Sequence, residues 1–350
     1  MSKERLYYLD LAKGFGILLV ILGHIEYVSD ALHTWIYSFH MPLFFFIAGI
    51  LMGLKDEAQI PVMTSVKKKF RAIMVPYLWF SLIYLVLDIY EMMRGRLDLA
   101  GYFRNILHAV TLCGESVLWF LPALFLSQIL CLLIVHKLSA KTGWGIAIVL
   151  PITGYMLYGF VLPFYEANQT IWIMVLLFDL LKVLVRAAVV LPFVYAGVGF
   201  SSYLRRGRES SAKELVTGIF LMIFTLPCSV LTGTVDINFL SFAHFPLFYI
   251  CAFSGSIGLV LLCKNMKNLP IISYYGRNSL IVMVTHISFR VLYAAILIAW
   301  QIDTVVTRAK SYVFHFNIMI FTCLFEAIMI FIINRFCPFL IGRKRDRKEG

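Results

Sequence analysis

The sequence predicts an all-α polytopic membrane protein of about ten transmembrane helices, since a helix needs roughly 20 apolar residues to cross the hydrocarbon core. Three observations predict it. Hydrophobic residues make up 61% of the 350-residue chain and charged residues 14%. With a mean hydropathy of +0.86, that composition lies outside the range of soluble domains. Apolar runs of spanning length recur along almost the whole chain, and Lys and Arg fall between them as the positive-inside rule describes.

The first span is expected over residues 6–27. Lys3 and Arg5 precede it as they would a secretory signal, but Asp10 and Lys13 interrupt the run, no small-residue cleavage site follows, and a second run begins at once. It is therefore read as a retained helix. The later spans are expected at 34–53, 72–91, 118–136, 143–160, 183–204, 214–231, 244–263, 278–299 and 313–334. Residues 171–181 are apolar but too short to cross, and read as an interfacial or re-entrant helix leading into the sixth span.

Orientation follows from the short connections. Lys55, Lys67, Lys68, Lys69 and Arg71 lie on one side, with Arg205, Arg206, Arg208 and Lys213, with Lys264, Lys267 and Arg277, and with the C-terminal cluster. The other side holds Arg94, Arg96, Arg104, Lys182, Arg186, Arg308 and Lys310. The asymmetry is about three to one and puts both termini in the cytoplasm. Residues 1–342 are expected to form a single transmembrane domain and 343–350 a basic cytoplasmic tail suited to anionic lipid.

The formal charge of +12 does not call for nucleic acid, because the basic residues sit at the ends of apolar helices, where the bilayer accounts for them. The seven cysteines form no C-x-x-C pair, so neither a metal site nor a disulfide framework is expected.

Ionisable side chains inside a span are costly and are functional candidates for that reason. In the first span Asp10, Lys13, Ile17 and His24 fall near one face, a polar stripe roughly 21 Å long at about 1.5 Å per residue. That length excludes Asp10 as the direct partner of His24; Lys13, Arg5 or a residue around Arg71 suits it better. His40, on the returning second span, is expected at the depth of His24, and Pro42 beside it removes a backbone donor. The ninth span opens at Asn278 and Ser279, which either cap the helix or touch a ligand, and carries Ser279, His286 and Arg290 close to one face. The cluster Lys67-Lys68-Lys69-Phe70-Arg71 either satisfies topology alone or receives phosphate groups from the cytoplasm. These features suit an enzyme or a proton-coupled transporter of a small polar solute.

The chain resembles the acyltransferase-3 family of membrane O-acyltransferases, particularly its sugar O-acetylase branch. The resemblance is carried by Tyr8-Leu9-Asp10, by Leu22-Gly23-His24, and by Phe39-His40-Met41-Pro42 through Phe46 with Gly49. It continues through Arg71 with Val75-Pro76-Tyr77, Leu118-Trp119-Phe120-Leu121, and Tyr275-Gly276-Arg277-Asn278-Ser279-Leu280 with His286. The family's Arg-x-x-Arg pair here reads Lys68 to Arg71, which keeps the charge but loses one bidentate guanidinium.

The resemblance implies transfer of an acyl group, usually acetyl, from cytoplasmic acetyl-CoA to a carbohydrate or glycolipid hydroxyl, in a bacterial cytoplasmic membrane. On that reading His24 is the general base or carries an acyl intermediate, His40 orients or protonates, and Glu115 is an acid partner. Arg5, Asp10, Lys13, Lys68, Arg71, Asn278 and Ser279 would serve the CoA donor, and Trp119, His286 and Arg290 the acceptor.

Overall fold

The computed structural model describes residues 6–25, 29–206, 211–302 and 312–343, nearly all of them helical. The order is α1 (Tyr7–Gly23), α2 (Asp30–Leu54), α3 (Val62–Lys69), a π-helical stretch (Phe70–Met74), α4 (Val75–Met93), α5 (Leu99–Val110), α6 (Phe120–Lys137), α7 (Ala140–Ala167) and α8 (Trp172–Arg206). After these come α9 (Ala212–Thr232), α10 (Phe245–Asn265), α11 (Pro270–Arg277), α12 (Ser279–Thr285), α13 (Val291–Ile302) and α14 (Tyr312–Phe336). Two-residue strands, Val235–Asp236 and Ser241–Phe242, pair antiparallel between α9 and α10. Arg5, the tail 344–350, Arg208, Arg308 and Lys310 lie outside the described residues.

Seven helices among the described residues are long and apolar enough to cross a membrane: Asp30–Leu54, Val62–Met93, Ser116–Lys137, Ala140–Ala167, Ala212–Thr232, Phe245–Asn265 and Phe314–Phe336. The protein is an all-α polytopic membrane protein. Its lipid-facing surface is legible on α7, where Ile148, Ile152, Met156, Phe160 and Phe164 are all exposed. A four-residue repeat of large apolar groups on the outside is what a bilayer, and not water, covers.

The other three expected spans take different forms. Helix α1 has 17 residues, about 26 Å of rise against a core of about 30 Å. The segment 171–181 is not a separate short helix: α8 runs unbroken for 35 residues, Trp172–Arg206. Lys182 and Arg186 are accordingly helix residues and not part of a connection, and Arg186 is buried at 2% exposure. The ninth span is broken. Helix α12 stops at Thr285, His286–Arg290 form turns, Arg290 takes φ +57°, and α13 resumes at Val291. Arg290 therefore does not share a helix face with Ser279 and His286, as uninterrupted helical spacing had suggested.

The chain groups into two compact units, one of residues 1–47, 203–236 and 241–336 and the other of 48–202, 237–240 and 337–350. In the first, a side chain at Gly14 would meet the Ile272 backbone and one at Gly276 the Asp10 backbone, so the glycines let α1 and α11 pack at backbone contact. The buried Lys264 ammonium binds both Glu214 oxygens at 2.7 and 2.8 Å, tying α9 to α10. In the second unit, buried Lys69 reaches Glu57 at 2.7 Å and Gln128 at 2.6 Å.

Candidate functional site

Three histidines of the first unit share one local construction. Helix α1 ends at Gly23, and His24 is its C-cap, with ring Nδ1 2.8 Å from Val20 O. His40 Nδ1 lies 2.8 Å from Ile36 O on α2. His286 caps α12, with Nδ1 2.8 Å from Val282 O. A carbonyl oxygen only accepts, so Nδ1 carries the hydrogen in each ring and the neutral imidazole keeps its lone pair on Nε2. The backbone thus sets the tautomer that a general base needs.

These rings gather around His24. The His286 ring stands edge-on to it at 5.0 Å between centroids, and Tyr37 lies at 6.4 Å. Tyr37 also meets His40 at 4.9 Å and stacks on His33 at 4.0 Å. His33, Tyr37 and His40 are brought together by helical spacing along α2. His24 is half-buried, whereas His286 is fully buried and its Nε2 has no hydrogen-bond partner among the described residues. Among the described residues His286 is thus an imidazole neighbour of His24, and Tyr37 is near both His24 and His40. Asp236 is the acidic side chain, among the described residues, whose charge acts on both His24 and Tyr37.

The remaining expected residues of this unit have specific surroundings. Asp10 pairs with Lys13 at 2.8 Å, one turn along α1. Asn278 donates to Tyr274 O at 2.9 Å and accepts from Asn334 at 3.0 Å, so its amide closes α11 and ties it to α14. Ser279 opens α12 and is half-buried. Arg290 is exposed, 6.0 Å from the Tyr293 ring.

The second unit holds the basic segment and the Glu115 region. Lys67, Lys68 and Arg71 are exposed, whereas Lys69 turns inward to Glu57. Arg71 lies in the π-helical stretch and donates through Nε to Gly342 O at 2.8 Å. Single-turn π segments recur at functional positions because they displace side chains from the regular helical face. Gly342 meets the Arg71 backbone where a side chain would collide, and at φ +68° it favours glycine on conformational grounds as well.

Glu115, just ahead of the span that opens at Ser116, hydrogen-bonds Asp88, which also accepts from Asn105 at 3.0 Å. Burial, and then the neighbouring Asp88 carboxyl, push the Glu115 pKa up to about 7. Trp119, buried four residues on, lies 5.6 Å from the Arg186 guanidinium. A carboxyl with a pKa raised on folding binds more protons folded than unfolded, so its contribution to stability falls as pH rises from its ordinary value to about 7. Glu115→Gln is expected to remove that fall. Thermal unfolding in detergent between pH 4.5 and 7 checks it; a wild-type-to-variant difference that does not change with pH would contradict it.

Tyr37, Asp236 and Arg186 were not expected as neighbours of these residues. The spacing of His33, Tyr37 and His40 held a signal for Tyr37, since all three lie on one helical face. Nothing in the sequence indicated Asp236, because its proximity to His24 depends on a connection between distant helices. Among the described residues no group of three or more His, Cys, Asp or Glu is arranged to hold a metal ion.

A family model described as an acyltransferase domain matches residues 6–333. No curated protein and no solved structure matches the chain.

Proposed function

The chain belongs to this acyltransferase family, and from that premise we propose that it moves an acetyl group from cytoplasmic acetyl-CoA to a hydroxyl of a carbohydrate or glycolipid on the far side of a bacterial cytoplasmic membrane. That it is an integral membrane acyltransferase follows from the family and the helices together. The donor, the acceptor and the residue roles are the proposal. The observation that carries it is the His24 imidazole, held by Val20 O in the tautomer whose Nε2 accepts a proton.

In the reaction, Nε2 of His24 takes the proton of the acceptor hydroxyl as that oxygen attacks the thioester carbonyl. The tetrahedral intermediate collapses by breaking the carbon–sulfur bond, and the CoA thiolate leaves with the proton returned by the imidazolium. His286 and His40 flank the base, Tyr37 supplies an aromatic face against which a sugar ring can stack, and Asp236 places negative charge near the developing imidazolium. Glu115, Trp119 and Arg290 are assigned to the acceptor side, as acid and as binding residues.

The donor is assigned to Lys68 and Arg71, with Lys67 beside them, because exposed cations at the end of α3 and on the π-helical stretch that follows suit the phosphates of CoA. The bond from Arg71 Nε to Gly342 O orients the guanidinium and leaves its Nη donors for such an anion. Asp10, Lys13 and Ser279 belong to the same donor assignment in a weaker sense, Asp10 and Lys13 already satisfying each other. Asn278 has both ends of its amide engaged, which supports a bracing role between α11 and α14.

The protein reconstituted in bilayers is expected to release free CoA thiol from acetyl-CoA when a carbohydrate acceptor is supplied, with the acetyl group recovered on the acceptor. Thiol release independent of any hydroxyl acceptor, or none at all, would contradict the reading. Arg71→Ala is expected to weaken acetyl-CoA binding about tenfold, a loss of one charge-assisted contact. Binding is measured by titration with a non-hydrolysable analogue, and unchanged affinity would leave Arg71 with its packing role against Gly342 alone.

A further inference from the structure

Helix α14 carries a carboxyl that the reaction above does not use. Phe314, Ile318, Thr322, Glu326 and Ile330 recur every four residues and are each at most 1% exposed, so they form the inner face of that helix. Asn334 extends the same stripe to its bond with Asn278. Glu326 is 0% exposed in the middle of this face. An apolar residue would fill the position at far lower cost, since a carboxyl within the membrane must be either satisfied or useful.

Glu326 is only half satisfied. Its Oε2 accepts from the Thr285 hydroxyl at 2.7 Å, while Oε1 has no hydrogen-bond partner among the described residues. Thr285 is the last residue of α12, and the next residue is His286, whose own Nε2 has no partner among the described residues and whose ring is the neighbour of His24. The register agrees at two points, Asn278 with Asn334 and Thr285 with Glu326. The carboxyl therefore stands at the broken end of α12, level with the residue that precedes His286.

The Thr285 hydroxyl gives this contact two states. Its Oγ lies 2.7 Å from Glu326 Oε2 and 2.7 Å from Ile281 O, yet it has one hydrogen to donate. With Glu326 ionised, Thr285 donates to the carboxylate. With Glu326 protonated, the acid donates to Thr285 Oγ and Thr285 donates to Ile281 O. The carboxyl gains or loses a proton without losing this hydrogen bond, and only the hydroxyl turns over.

We propose that Glu326 is a positioning carboxyl of the histidine site, held by Thr285 in both its protonated and its ionised form, so that its charge sets the basicity of the His24–His286 pair. The inference rests on the reading of His24 as the base. An ionised Glu326 stabilises the positive charge that His24 acquires when it takes the acceptor proton, and a protonated Glu326 does not. The other titratable groups on the packed elements are Tyr7, Tyr8 and His24 on and capping α1, Tyr274, Tyr275 and Arg277 on α11, His286 and Arg290 between α12 and α13, Tyr293 on α13, and Tyr312, His315, Cys323 and Arg335 on α14 itself. Asp10 and Lys13, at the other end of α1, form their own pair. Tyr275 donates to Cys323 O at 2.8 Å.

Two measurements on the full chain in lipid nanodiscs test this, with wild type, Glu326→Gln, Glu326→Asp and Thr285→Val matched by thermal unfolding. The first is infrared difference spectroscopy across a pH titration, which needs no substrate. A carboxylic C=O band that titrates in wild type, disappears in Glu326→Gln and shifts in Thr285→Val is expected. The second is the pH dependence of acetyl transfer: a change of rate over the pH range in which the carboxyl band titrates is expected in wild type, to be lost in Glu326→Gln and to return in Glu326→Asp. Absence of a titrating band assignable to Glu326, or a Glu326→Gln profile that superimposes on wild type, would overturn the proposal. A titrating band in a wild-type protein that transfers no acetyl group supports proton exchange at Glu326 and overturns the transfer reading instead.

Discussion

His24→Ala is expected to reduce acetyl transfer by on the order of 10²–10⁴-fold, the range that a single positioned acid–base group contributes. The size of the effect follows from the absence of an equivalent substitute. The rings of His286 and His40 are both buried, at 0% and 2% exposure. The fold is expected to tolerate the change, because His24 is half-buried at a helix end and its Nδ1 bond goes to a carbonyl of its own helix. Thiol release and acetyl-acceptor formation are compared in bilayers at equal amounts of folded protein. His24→Asn, which retains a polar group without an imidazole base, is expected to be as inactive as alanine. Activity within a few-fold of wild type in either variant would remove His24 from the chemistry.

Arg186→Leu is expected to produce the largest loss of stability. The guanidinium is 2% exposed on α8. It donates through Nη1 to Cys113 O at 2.6 Å, through Nε to Asn238 O at 2.9 Å, and through Nη2 to Asn238 Oδ1 at 2.6 Å. It also lies over the Trp119 ring. These acceptors come from segments 73 and 52 residues away in sequence, so one side chain closes two long loops. Leucine would fill much of the volume and leave three acceptors without donors. Each buried unsatisfied group costs about 1–3 kcal/mol, so their sum is a large part of a typical 5–15 kcal/mol. Thermal unfolding in detergent is expected to show a strongly lowered midpoint or no folded protein, with Arg186→Lys intermediate, since an ammonium cannot reach three acceptors in the same planar geometry. A variant that melts with wild type would show that these acceptors find other donors.

The helices that the sequence made plain are those whose apolar runs are uninterrupted. Helices α2, α6, α9, α10 and α14 fall where composition and length place them, because apolar residues dominate each run and the bilayer demands an internally satisfied backbone. The sixth span differs. Lys182 and Arg186 have the look of residues of a connection, so the sixth span is expected to start only at 183. In the structure α8 continues through them because Arg186 finds carbonyl partners elsewhere in the chain. The ninth span has the opposite history: 278–299 is apolar enough to read as one helix, and it breaks at His286–Arg290. Local composition does not reveal that break, since its consequence, the contact of His286 with His24, is made with a helix more than 250 positions earlier.

For the candidate site, the sequence by itself determined that His24, His40 and His286 are imidazoles within apolar runs, and that a dense basic segment precedes α4. Those are properties of residue type and local spacing, which periodicity carries without knowledge of neighbours. Which ring touches which, that Tyr37 is near both His24 and His40, that Lys69 turns inward while Lys68 and Arg71 face out, and that Glu326 meets Thr285 were decided by the tertiary structure alone. The physical reason is that each of these contacts joins two helices whose rotation about their own axes is fixed by packing, through close approaches such as Gly14 on Ile272 and Gly276 on Asp10. A sequence states which face of a helix is polar; only the packed bundle determines what that face meets.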